Sequence, residues 1–230
     1  MQRIGANVQA RMSSRRLPGK ILKEIHGKPL LLYITESLAH CSTLCDYVIA
    51  TSAEDSDDPV ETFCKDMNLQ LYRGSLNNVA SRFLEISRGR KWDAFVRVNG
   101  DSPLIDPQLV DRGAEIFCSG RFDLVTNVFP RTFPPGQSVE VVNCATFESL
   151  FSHLSCDEDL EHVTRYFYQN PDEFRIKNFT SETDYSRIHL AVDTPEDFRF
   201  VSSIVSKMNK PHWEYHVSDI VEIIKMNLNG

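Results

Sequence analysis

The chain has 230 residues, of which 41% are hydrophobic and 25% charged, with a formal net charge of −7. That is enough apolar residue for a sizeable core in about one large domain. The acidic balance excludes the broad basic face that nucleic acid or an anionic membrane would need, and no apolar run approaches the roughly 20 residues of a membrane span.

The N-terminal Met1-Gln-Arg-Ile-Gly-Ala-Asn-Val8 lacks the apolar core of a secretory signal and reads as a first strand, so a cytoplasmic location is expected. The six cysteines form no CxxC pair and no zinc-finger spacing, which fits reduced thiols in that compartment.

The first predicted strand, 4–9, runs into Val8-Gln-Ala-Arg-Met-Ser-Ser-Arg-Arg-Leu-Pro-Gly-Lys20. Arg11, Arg15, Arg16 and Lys20 gather in this one loop, against the charge of the chain. Cations and free backbone N–H groups in a loop leaving a strand suit an anion such as a triphosphate. The loop contains neither G-x-x-x-x-G-K nor G-x-G-x-x-G, which disfavours a P-loop NTPase and a dinucleotide-binding fold.

Helices are predicted at 30–40, 59–67 and 78–88, alternating with strands at 47–51, 70–72 and 94–98. This alternation implies βαβ units and a parallel sheet. The third strand ends in Arg73-Gly-Ser, where Arg73 and backbone amides suit a base edge; Arg82 suits phosphate or solvent. The fourth ends in Val98-Asn-Gly-Asp101, which puts Asp101 at the carboxyl edge of the sheet, where ligands bind. A carboxylate beside a polyphosphate loop is commonly there to share Mg²⁺. Asp106 is the expected N-cap of a helix at 108–118 that opens on Pro107.

Strands follow at 122–126 and 138–142, separated by a proline-rich loop over 129–136. Helices at 145–153 and 158–168 and strands at 174–179 and 188–192 come next. Thr194-Pro-Glu-Asp197 starts a helix over 196–208, and a last helix covers 218–227. If the strand at 188–192 is parallel to the first four, Asp193 shares an edge with Asp101 and the two carboxylates hold one Mg²⁺. The pattern describes a single α/β domain over 1–230 with a β-rich insertion at 122–180.

These segments, in this order, resemble the cytidylyltransferase family that makes CMP-activated sugars, most closely its SpsF-like branch. The match to A-R-x-x-S-x-R-L-P-G-K is complete, at Ala10, Arg11, Ser14, Arg16, Leu17, Pro18, Gly19 and Lys20. It is echoed by Arg97-Val-Asn-Gly-Asp-Ser-Pro-Leu-Ile-Asp106, Gly136-Gln-Ser-Val-Glu-Val141, Glu161-His-Val-Thr-Arg-Tyr-Phe167 and Val192-Asp-Thr-Pro-Glu-Asp197. The chain departs at Asn77-Asn78, where an acid is expected, and at Arg165, where proline is commoner.

The resemblance implies a three-layer, Rossmann-like nucleotidyltransferase fold with a mainly parallel sheet, and a Mg²⁺-dependent transfer of CMP from CTP to a sugar acid with release of pyrophosphate. It implies catalytic roles for Lys20, Arg11 and Asp101, and Mg²⁺ ligation by Asp101 and Asp193. Nucleotide binding falls to Ala10, Arg11, Ser14, Arg16, Gly19, Lys20, Arg73, Asn78, Arg82, Asn99 and Asp101. Arg131, Gln137, Glu140, His162 and Thr164 are the acceptor-binding candidates. The insertion is the expected acceptor-binding and dimerisation region of a homodimer. Alternatives are a nucleotide-sugar glycosyltransferase of related α/β topology, disfavoured because the D-x-D of Asp55-Ser-Asp57 precedes a helix after the second strand where such enzymes carry it at the end of a central strand, a guanylyl- or uridylyltransferase acting on a sugar phosphate, and a non-catalytic nucleotide-binding or scaffold protein.

Overall fold

Residues 2–228 are described by a computed structural model. The first half follows the predicted alternation: β1 (Ile4–Gln9), a small hairpin of β2 (Glu24–Ile25) and β3 (Lys28–Pro29), α1 (Leu30–Ala39), β4 (Asp46–Ser52), α2 (Asp58–Asp66), β5 (Leu71–Gly74), α3 (Val79–Arg90), β6 (Ala94–Asn99) and α4 (Pro107–Ser119). The hairpin escapes sequence reading because its two-residue strands are too short to show any alternation. Caps set several boundaries: Asn78 accepts from the Ser81 amide at 2.7 Å, and Asp106 from the Gln108 amide at 2.8 Å.

The second half adds β7 (Leu124–Thr126), β8 (Glu140–Asn143), α5 (Cys144–Leu150), α6 (Asp157–Glu161), α7 (Arg165–Gln169), β9 (Ile176–Asn178), α8 (Pro195–Val205) and α9 (Val217–Leu228). Seven strands form one sheet in the order β5-β4-β1-β6-β8-β7-β9, and only β8 runs against the rest. Alternate residues face opposite layers. Ala94, Val96 and Val98 pack with α1, α2 and α4, whereas Phe95 packs with Phe83 of α3, Phe147 of α5 and Phe167 of α7. The sheet is therefore sandwiched between helical layers, as the α/β expectation requires.

Three expectations change. Residues 122–180 are not a β-rich insertion: β7, β8 and β9 complete the central sheet, and more of the segment is helical than extended. The helix expected at 158–168 breaks at residues 162–164, where fully buried Val163 turns inward and Thr164 turns toward Glu140. The segment 188–192 is not a strand. Its partners are loops, with the Leu190 amide donating to the Pro135 carbonyl at 2.8 Å and the Val192 amide to the Asp101 carbonyl at 2.7 Å. Buried Leu190 and Val192 gave it a strand-like apolar pattern, but they pack against Val201 and Ile204 of α8 instead of a sheet face.

Candidate active site

β1 and β6 are neighbours, while β4 lies on the far side of β1, so the chain reverses its order at their carboxyl ends. Such a switch point leaves a crevice. Here it is a cleft of about 590 Å³, walled by the 11–20 loop, residues 99–101, Glu161, His162 and Asp193. The strand ends touch: a Cβ on Gly100 would lie 2.7 Å from the Gln9 carbonyl oxygen, so no larger residue fits. Gly19, with φ of +67°, closes the loop through its amide to the Met12 carbonyl at 2.9 Å and delivers Lys20 into the cleft.

Lys20 lies between the two predicted carboxylates. Its Nζ donates to Asp193 Oδ1 at 2.9 Å, to Asp101 Oδ2 at 3.3 Å and to the Val192 carbonyl at 2.8 Å. Arg16 pairs with Asp193 Oδ2 at 3.1 Å. The Val192–Asp101 backbone bond brings the two aspartates together without any strand at 188–192. Arg11 makes a two-pronged pair with Glu161, at 2.7 and 3.2 Å, and Glu161 also accepts from Gln9 Nε2 at 3.2 Å. Arg15, Ser13 and Ser14 also line the cleft, together with Asn77 and Asn99. Ala10 is a buried support beneath it.

Other predicted site residues have structural partners. Arg73 donates to the Ser52 and Glu54 carbonyls at 3.0 and 2.8 Å and pairs with Asp58 and Glu61, away from the cleft. Asn78 caps α3, and its neighbour Asn77 faces the cleft instead. Arg82 is fully buried; its Nη1 holds the Ser75 and Leu76 carbonyls, its Nε and Nη2 have no partner among the described residues, and burial lowers its pKa. Gln137 lies inside the core, accepting from the Asp106 amide at 2.9 Å and donating to the Leu104 carbonyl. These four residues look like ligand contacts by type and position, but Arg73, Asn78 and Gln137 are held by partners within the fold and Arg82 is enclosed in the core.

Asp57, the second acid of the D-x-D, is fully buried. Burial pushes its carboxyl up, but hydrogen bonds from the Ser52 hydroxyl and the Met12 and Ser52 amides outweigh this and hold it below the usual aspartate value. It therefore anchors the basic loop to β4. Its carboxyl oxygens are thereby committed within the fold.

A second cavity of about 360 Å³ joins the cleft through Arg97, Asn99 and His162, and also includes Arg131. On its wall, buried Glu140 accepts from Arg97 Nη1 at 2.9 Å, Thr164 Oγ1 at 2.7 Å and Tyr168 Oη at 2.6 Å. Burial, then the adjacent Glu140 charge, raises the Tyr168 pKa well above its ordinary value, so the phenol stays a donor. Arg131 Nη2 donates to Ser138 Oγ at 3.0 Å, while its buried Nη1 has no partner among the described residues. Sequence reasoning missed Arg97, Glu161 and Tyr168 as site residues. Arg97 and Glu161 stand in the R-V-N-G-D-S and E-H-V-T-R-Y-F segments and Tyr168 directly follows the second, but nothing local says that they meet at joined cavities.

Residues 6–223 match the family model described as cytidylyltransferase. The chain belongs to the cytidylyltransferase family. It is thus an enzyme of the nucleotidyltransferase class. The structure superposes on a cytidylyltransferase from Leptospira borgpetersenii with a TM-score of 0.94 and 32% identity, covering 100% of this chain and 96% of that one. The sequence is 28% identical to the spore coat polysaccharide biosynthesis protein SpsF of Bacillus subtilis, over 96% of this chain and 93% of that protein. A 3-deoxy-manno-octulosonate cytidylyltransferase of Neisseria meningitidis is 34% identical, over 52% of this chain and 47% of its own length.

Proposed function

We propose that this cytidylyltransferase transfers CMP from CTP to a sugar acid, with a divalent metal, Mg²⁺, held by Asp101 and Asp193. The observation that carries the reading is the convergence of Asp101, Asp193 and Lys20 at the β1–β6 edge, in a cleft that opens into a second cavity containing Arg131. The donor set fits the ion: two hard carboxylates suit Mg²⁺, which commonly takes its other positions from phosphate and water. Among the described residues, no group of three or more His, Cys, Asp or Glu side chains forms a self-sufficient metal cage.

Bound there, the metal would offset phosphate charge and polarise the α-phosphate. Arg11, Arg16 and Lys20, with the Ser13–Ser14 turn, would bind the triphosphate and hold it in line for attack. Charge stabilisation and positioning carry most of such a reaction. The acceptor hydroxyl loses its proton to water as its oxygen bonds to the α-phosphorus, the bond from that phosphorus to the α–β bridging oxygen breaks, and pyrophosphate leaves. Arg131 Nη1, a buried donor without a partner among the described residues, suits the carboxylate of the acceptor, and His162 stands where the two cavities meet. The likeness to SpsF and to the octulosonate enzyme supports an activated sugar for surface polysaccharide or glycan assembly.

A homodimer through residues 122–180 belongs to the same reading; exposed Phe129 on that segment supports it, and light scattering tests it. No helix among the described residues is long and apolar enough to cross a membrane. A cytoplasmic site is proposed because CTP is supplied there.

Pyrophosphate release, measured with each nucleoside triphosphate against a panel of sugar acids, tests the function. CTP with at least one keto-deoxy sugar acid is expected to give turnover. Asp101→Asn and Asp193→Asn are each expected to slow it by about 100-fold or more without unfolding the protein. Wild-type rates in both variants would remove the metal assignment.

A further inference from the structure

We infer that the Lys20 ammonium and the divalent metal are alternative occupants of the position between Asp101 and Asp193, so the metal enters only with the nucleotide, whose phosphates draw Lys20 off the carboxylates. The inference rests on the reading of Asp101 and Asp193 as the metal-holding pair.

An ammonium has three N–H donors. All three of Lys20 are matched, by Asp101, Asp193 and the Val192 carbonyl, and its side chain is 11% exposed. In this arrangement Lys20 has no donor left for a phosphate. The carboxylates are occupied as well: Asp101 Oδ1 accepts from Ser102 Oγ at 3.1 Å and Asp193 Oδ2 from Arg16 at 3.1 Å. Mg²⁺ binds oxygens at about 2.0–2.1 Å. A divalent ion held by Asp101 and Asp193 would compete with Lys20 for these carboxylates, and two cations so close repel strongly in a part-buried site.

Lys20 therefore has to leave, and it needs an acceptor to leave for. Glu161, the remaining carboxylate lining the cleft among the described residues, is already bound by Arg11 and Gln9. No free carboxylate is left for it among the described residues of the cleft, whereas a phosphate oxygen of the incoming nucleotide is an anionic acceptor. The two roles assigned to this corner, phosphate contact by Lys20 and metal ligation by the aspartates, are thus exclusive before nucleotide arrives and compatible after it.

The test measures Mn²⁺ binding by electron paramagnetic resonance, with and without a CTP analogue whose α–β bridge is a methylene. Without nucleotide, wild type is expected to bind Mn²⁺ weakly. Lys20→Met and Lys20→Gln are expected to bind it about tenfold tighter or more, and Asp101→Asn added to either should abolish the gain. Lys20→Arg keeps the cation and should stay near wild type. Folding of each variant is checked by circular dichroism. Unchanged affinity in folded Lys20→Met and Lys20→Gln, with Asp101-dependent Mn²⁺ binding by analogue-loaded wild type, would overturn the exchange and leave the metal reading intact. No Asp101-dependent binding even with the analogue would overturn both. If neither neutral variant folds, the ¹⁵N ammonium resonance of Lys20 in wild type decides. It should hold its position with Mg²⁺ alone and move when the analogue joins it, whereas movement with Mg²⁺ alone refutes the exchange.

Discussion

Replacing Asp57 with asparagine probes how the basic loop is held. Asp57 Oδ1 accepts from the Met12 amide at 2.7 Å, and Oδ2 from the Ser52 amide at 3.0 Å and from the Ser52 hydroxyl. Asparagine offers one acceptor oxygen and turns an NH₂ toward the other donors. The Ser52 hydroxyl can rotate, but one buried backbone amide is left unpaired, at about 1–3 kcal/mol. The surviving bond loses its charge assistance, about 1 kcal/mol more. The sum, about 2–4 kcal/mol, corresponds to a fall in Tm of about 5–15 °C for a chain of this size.

Urea and thermal unfolding measure the loss, and hydrogen exchange at the Met12 amide locates it. The pH dependence has a definite sign. The folded Asp57 carboxyl titrates below the ordinary value of 3.8. Its contribution is therefore complete above that value and disappears as pH falls through the folded value. The gap between wild type and Asp57→Asn should narrow in acid. A variant within about 0.5 kcal/mol of wild type at neutral pH, or with unchanged Met12 protection, would refute the anchoring role.

Glu161→Gln weakens the pair that Arg11 must leave to meet a phosphate; the expected result is a lower KM for CTP together with a lower kcat, since Arg11 is freer but less oriented, and a raised KM contradicts this. Arg131→Ala should raise the KM for the sugar acid about tenfold, as loss of a hydrogen bond to a charged group predicts, with the KM for CTP within about twofold. Equal effects on both substrates would move Arg131 out of the acceptor cavity. Arg175, first among the groups acting on Asp123, draws that carboxyl down to about 2. The stability this gives is complete above the ordinary value of 3.8 and is lost as pH falls toward 2, so Arg175→Ala should shift acid unfolding to higher pH. An unshifted acid transition would mean the pair does not tie β9 to β7.

Much of the fold could be read locally. Apart from the β2–β3 hairpin, the alternation of apolar runs with helical periods over 4–119 matches the observed strands and α-helices, and Asp106 and Thr194 cap α4 and α8 as read. Reading failed where local pattern and tertiary partner disagree. The segment 188–192 has the apolar spacing of a strand, yet bonds to loops at Pro135 and Asp101. The helix pattern over 158–168 breaks where Thr164 is drawn to Glu140 on β8. Arg73 and Gln137 sit in motif-like surroundings, but neighbours within the fold take up their polar groups.

The sequence by itself determined the basic loop after β1, the aspartate that closes β6 and the family signature running through both. Those are short-range properties: strand ends, turn residues and caps depend on a few neighbouring residues. Only the tertiary structure decided that Lys20 bridges Asp101 and Asp193, that Glu161 pairs with Arg11, and that Arg97 joins the two cavities. Each of these links elements distant in the chain, and its geometry follows from how β6, β8 and the 188–193 segment pack, which no local pattern encodes.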